Sequence, residues 1–159
     1  MDRTPVNGLV VSGLAQIALG ALAGFPYAIA TYQPQLLAVL GVRAPHRIRQ
    51  LHLDLIMMGA LVTATGAALP RLPRVVAVPL AVGCWTNALA FAPPAVRPSI
   101  EGTPLFRAVV AASFVTTSAG WVAAATIAAS RWRAGDRAAA RAFSPTAYSS
   151  RRWGWRRGC

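Results

Sequence analysis

The chain of 159 residues has no lysine and only four acidic residues, Asp2, Asp54, Glu101 and Asp136, against sixteen arginines. It also has just two histidines and two cysteines. Each shortage excludes something. Cys84 lies inside an apolar run and Cys159 at the very end, without metal-ligand or redox spacing, so neither a disulfide framework nor a thiolate metal cage organises the chain. A single carboxyl, Asp54, falls within an apolar segment, so there are no paired carboxylates for acid–base hydrolysis and no row of charges to line an ion path. A Ser-His-Asp arrangement and a phosphate-binding glycine loop are missing as well. These absences argue against a hydrolase.

What the chain does have is hydrocarbon. Hydrophobic residues make up 55% of it and the mean hydropathy is +0.47, values that point to one small all-α, membrane-embedded domain. No charge occurs between Arg3 and Arg43, and "GLVVSGLAQIALGALAGFPYAIAT" within that interval is long enough to cross a bilayer. With no small-residue cleavage site followed by a soluble domain, it reads as a retained span, not a signal peptide. Four spans are expected at about 8–31, 50–70, 75–93 and 108–130, each bounded by arginine or proline, forming a four-helix transmembrane domain over 1–133. Within the first, "GALAG" puts Gly20 and Gly24 on one helix face, where small residues allow a neighbouring helix to approach.

Four spans place both termini on one side. Eleven arginines (Arg3, Arg71, Arg74 and eight from Arg131 onward) then face five (Arg43, Arg47, Arg49, Arg97 and Arg107), a bias that favours cytoplasmic termini in an inner or plasma membrane. The tail 134–159, with its closing "SSRRWGWRRGC", reads as disordered or resting on anionic headgroups, each basic residue adding roughly 1 kcal/mol near such a surface. The pI near 11.8 is thus a matter of membrane-flanking arginines; no nucleic-acid-binding motif accompanies it.

Polar groups inside the spans are the candidates for chemistry. His52 and Asn87 fall on different expected helices at comparable depth, roughly 5 and 9 Å below the same membrane face at 1.5 Å per residue. Intramembrane ionisable and amide groups usually face the bundle interior and often mark a site. His52 has two readings, a headgroup-level hydrogen bond or a metal, haem or proton-transfer role. Asp54, two residues on, is turned about 200° from it and is expected to pair with Arg47 or Arg49, or to favour the helix start. His46 is expected in a solvated loop. Gln16, Thr63, Thr65, Thr116, Thr117 and Ser118 carry less weight, because hydroxyls bond readily to their own helix backbone. Met57 and Met58 read as lipid-facing or filler residues, and Tyr27, Phe91 and Phe114, near the same membrane face as His52, as packing residues or as walls of an apolar pocket, packing being the commoner use.

"HLDLIMMG" (52–59), a histidine with a glycine seven residues later opening the second span, is followed by "GCWTN" (83–87) in the third. Together they resemble the small four-span membrane proteins that include styrene oxide isomerase and hydroxylaminobenzene mutase, and the resemblance in span order and spacing covers residues 8–130. It implies a homotrimer in which His52 is an axial ligand of haem b. Asn87 would then be a polar catalytic residue, Met58, Phe91, Tyr27 and Phe114 pocket residues, and an aromatic epoxide or arylhydroxylamine entering from the bilayer the substrate. In the isomerase branch, ferric iron polarises the epoxide oxygen while a 1,2-shift gives the aldehyde. That branch has asparagine where Met58 stands and tyrosine where Phe91 stands, so two hydrogen-bonding groups are lost here. The rival reading is a non-catalytic helical partner or accessory subunit.

Overall fold

The computed structural model describes residues 7–142, with side-chain surroundings for 7–135. The described residues form helices α1 (Gly8–Tyr32), α2 (Pro34–Val39), α3 (Pro45–Ala68), α4 (Arg74–Leu89), α5 (Ala92–Val96), a 3-10 turn (Pro98–Gly102) and α6 (Pro104–Ala142), with no strand among them. Four of these segments, Gly8–Tyr32, Pro45–Ala68, Arg74–Val96 and Pro104–Gly135, are long and apolar enough to cross a membrane. Only 22–28% of each span's apolar stretch is buried inside the protein. Leu22, Phe25, Val75, Val109, Val115 and Val122 are all more than half exposed. Apolar side chains turned outward in that number suit a lipid solvent, and the protein is an all-α membrane helical bundle.

The packed unit is Met1–Ala124. Within it α1 and α3 lie closest, and glycine is the reason. A Cβ on Gly13 would sit 2.6 Å from the Gly59 carbonyl oxygen, and one on Gly59 would sit 2.7 Å from the Gly13 carbonyl oxygen. Two backbones meet there without side chains between them, as small-residue membrane interfaces allow. The seam is pinned at one end by Asn7, whose Oδ1 accepts from the Leu9 amide at 3.0 Å, capping α1, while its Nδ2 donates to the Gly66 carbonyl at 3.0 Å. Trp85 ties α4 to α1 by donating to Ser12 Oγ at 3.0 Å. Leu9, Val62, Leu80 and Cys84 fill the centre, with Met58 and Trp121 packed against them.

A second, smaller core closes the opposite end: Leu37, Ile48 and Ala95, flanked by Tyr27, Ile29, Ala30 and Val42. Its connecting turn needs Gly41, whose φ of 81° is in the left-handed region. The Arg43 and Ala44 amides both donate to the Ala95 carbonyl at 2.9 Å, fastening the α2–α3 connection onto α5.

Three expected boundaries move. The second span begins at Pro45, not near residue 50, because a proline at the first helical position has no amide to leave unpaired. His46 is therefore helical. The third span breaks after Leu89, where Pro93 and Pro94 restart a short helix in α5. The α6 helix continues to Ala142, so 134–142 are helical where a tail either disordered or resting on headgroups is expected; 143–159 lie outside the described residues.

Substituting alanine at Gly59 or Gly13 is expected to lower stability by about 1–3 kcal/mol through overpacking, despite alanine's better helix propensity. Gly8→Ala, where an added Cβ meets nothing within 4 Å, should be neutral or slightly stabilising. Thermal unfolding of the three variants in mild detergent checks the contrast.

Candidate functional site

The polar residues of the spans divide between two places. His52 belongs to the α1–α3 seam. Its Nδ1 lies 2.8 Å from the Gly20 carbonyl oxygen. A carbonyl only accepts, so Nδ1 carries the hydrogen and neutral His52 keeps its lone pair on Nε2. Gly24 makes room for the ring, since a Cβ there would stand 3.3 Å from His52 Cε1. Tyr27, one turn further along α1, stacks on the imidazole with centroids 5.5 Å apart and planes inclined by 21°. Ring position and tautomer are both fixed by α1, and Nε2 makes no hydrogen bond to a described residue.

Asn87 belongs to the second place, a cleft of about 500 Å³ walled by Phe91, Pro94, Phe106, Val110 and Phe114, with Arg47, Glu101 and Arg107 also lining it. The cleft brings together Asn87, Phe91 and Phe114 of the residues expected to form a pocket. Tyr27 and Met58 are not among its lining residues, and neither is His52. Tyr27 serves His52, and Met58 serves the central core.

Arg47 organises the cleft's polar side. Its guanidinium pairs with Glu101, donates to Gln50 Oε1 at 2.7 Å and lies 5.9 Å from the centre of the Phe91 ring. Arg107 adds a bond from Nε to the Glu101 carbonyl oxygen at 3.1 Å. The 3-10 turn carrying Glu101 is thereby held between α3 and α6.

Asp54 departs from expectation. With the helix starting at Pro45 it is the tenth residue of α3, too deep to favour the helix start, and Arg47 is committed to Glu101. Half-buried, it forms no hydrogen bond or ion pair with any described residue. The minor polar residues separate as well. Thr116 and Thr117 donate to carbonyls four residues back, the bonding expected of hydroxyls in a membrane helix. Gln16 and Thr63, by contrast, have buried side-chain atoms without a partner at the glycine seam.

Arg47, Glu101, Phe106 and Arg107 were missed as site residues by sequence reasoning. The signal for Arg47 and Glu101 is faint: opposite charges flanking separate apolar runs, 54 positions apart, with no pattern to join them. Comparisons of the chain with family models, with curated proteins and with solved structures find no match.

The His52 tautomer is directly checkable. Nitrogen-15 spectra of the ring-labelled protein under conditions where His52 is neutral should show a protonated Nδ1 and an unprotonated Nε2. Gly24→Val, which crowds the ring, should disturb that pattern, whereas Gly8→Ala should leave it unchanged.

Proposed function

We propose that this chain is a membrane isomerase or mutase that rearranges a small apolar molecule, with haem b held through His52. The observation that carries the reading is the His52 geometry. Metal-binding imidazoles typically donate their second ring N–H to a carbonyl or carboxylate, which fixes the tautomer and raises the basicity of the ligating nitrogen. His52 has that arrangement, with Nδ1 on the Gly20 carbonyl and Nε2 unengaged. The residues present therefore fit a haem ligand. When bound, haem supplies a Lewis acid that polarises a substrate oxygen.

The chain's own contribution is binding, orientation and exclusion of water. Phe91, Phe106 and Phe114 offer aromatic walls to a ring-sized substrate, and Asn87 offers both a donor and an acceptor to its polar end. An isomerisation conserves every atom of the substrate, so a cleft with aromatic walls and no hydrolytic constellation among the described residues suits it. The short motifs "HLDLIMMG" and "GCWTN" support the same family reading, with an aromatic epoxide or arylhydroxylamine as substrate class and a homotrimer as the assembly. The arginine bias supports an inner or plasma membrane with both termini in the cytoplasm.

One observation favours a second reading, a helical partner or accessory subunit: the same His52–Gly20 bond ties α1 to α3 and so has structural value without any ligand. An absorption spectrum separates the two. Protein purified in mild detergent after haem supplementation should show a Soret band that His52→Ala abolishes and Asn87→Ala retains. Absence of the band, or an undiminished band in His52→Ala, favours the accessory subunit.

A further inference from the structure

Of the three charged residues that line the cleft, Arg47 and Glu101 are paired with each other, and Arg107 is the one whose charge no described carboxylate compensates. Two arginines against one glutamate leave the lining with a single net positive charge. Arg107 donates from Nε to the Glu101 backbone carbonyl at 3.1 Å, a bond that restrains the guanidinium without neutralising it. Its two Nη groups bond to no described residue. They present a planar fork of donors, the geometry that matches a carboxylate or phosphate.

The position of this fork follows from the helices. Arg107 is the fourth residue of α6 and Arg47 the third of α3, so both stand at the start of a span, where arginine meets the headgroup region. From Arg107 the α6 lining continues through Val110, Ala111 and Phe114, which lie three, four and seven residues on and share its face of the helix. Seven residues at 1.5 Å each make that wall about 10 Å long. At its inner end, next in sequence to Asn87 and Phe114, the Thr86 and Ser113 hydroxyls join α4 to α6 at 2.6 Å. Phe114 is more than half exposed, so the wall is open to molecules dissolved in the bilayer. The cleft is thus cationic at its mouth and apolar along its length, a profile that complements an amphiphile with an anionic head. Its volume of about 500 Å³ suits a drug-sized molecule and does not enclose the headgroup and two chains of a phospholipid.

We infer that the cleft binds an amphiphilic monocarboxylate, with the head on the Arg107 fork and an aryl or alkyl body lying along Val110, Ala111 and Phe114. This deepens the proposed function by naming a regulator of the same site: such an acid excludes the neutral substrate by filling the space between the mouth and Asn87. It rests on the cleft being the substrate site and is independent of His52. No bond is made or broken in the acid.

Two probes of matched length test it, 4-(4-fluorophenyl)butanoate and 4-(4-fluorophenyl)butan-1-ol, with binding to the full chain in dodecyl maltoside read by fluorine NMR. Wild type should bind both, the acid more tightly, and each should displace the other. Arg107→Gln should weaken the acid about tenfold or more, the effect of losing hydrogen bonds to a charged group, and leave the alcohol within about twofold. Arg107→Lys keeps the charge and loses the fork, so its acid affinity should fall between the two and show that the charge, not a disturbed fold, is read. Ala111→Trp, which fills the cleft, should abolish binding of both probes.

Equal affinities in wild type, an acid affinity unchanged by Arg107→Gln, or acid and alcohol that bind without displacing each other overturn the inference while leaving the cleft as a binding site. Alcohol binding that survives Ala111→Trp, or no binding of either probe, overturns the cleft reading and the inference with it. Displacement of the acid by dihexanoylphosphatidylglycerol but not by dihexanoylphosphatidylcholine assigns the fork to the headgroup of an anionic lipid and overturns the free acid as its occupant.

Discussion

The close approach of α1 and α3 is the constraint on which the remaining geometry depends. Glycines on both helices let the backbones meet: Gly13 against Gly59, Gly20 against Leu55 and Ile56, Gly24 against the imidazole. In a bilayer no hydrophobic force drives helices together, so association rests on packing and on interhelical hydrogen bonds, and glycine provides both the approach and the accessible carbonyl. The His52–Gly20 bond exists because Gly20 and Gly24 leave that side of α1 bare. Ring orientation, tautomer and the stacking on Tyr27 all follow from that bare face.

The second principle at work is the treatment of polarity in hydrocarbon. Most hydroxyls in the spans are settled within their own helix, as Thr116 and Thr117 are, or across a close helix pair, as Thr86 and Ser113 are at 2.6 Å. Charges near the end of the bundle are settled by pairing, with Arg47 and Glu101 joined across separate elements. Against that background His52 Nε2, Asn87 and Asp54, with Gln16 and Thr63 at the glycine seam, are polar groups of the spans that no described residue engages.

Much of the fold was legible from composition because the bilayer allows so few solutions. Runs of about 20 apolar residues bounded by arginine and proline can only be helices, and four spans followed directly. The "GALAG" face was legible for the same reason, as small residues four apart have a defined use. Helix ends were less so. Pro45 starts α3 five residues before the apolar run does, which carried His46, Arg47 and Arg49 into the helix and removed Asp54 from its expected capping role. Equal depth placed His52 and Asn87 together in the sequence reading, but depth carries no information about azimuth: one ring turns toward α1 and the amide toward the α4–α6 cleft. Rotational position is set by which faces hold glycine, and that became interpretable only with the partner helix known. Arg47 and Glu101 were illegible as a pair, since their meeting depends on the 3-10 turn folding back over α3.

The account's central claim is that His52 is held from one side by the Gly20 carbonyl so that its opposite nitrogen is presented to a ligand. An electron cryomicroscopy map of the chain in lipid nanodiscs, prepared with haem available, tests this most directly. The account expects Nδ1 on the Gly20 carbonyl and planar density joined to Nε2. A ring turned to lipid, or an Nε2 bonded to another protein group with no density beyond it, would contradict it.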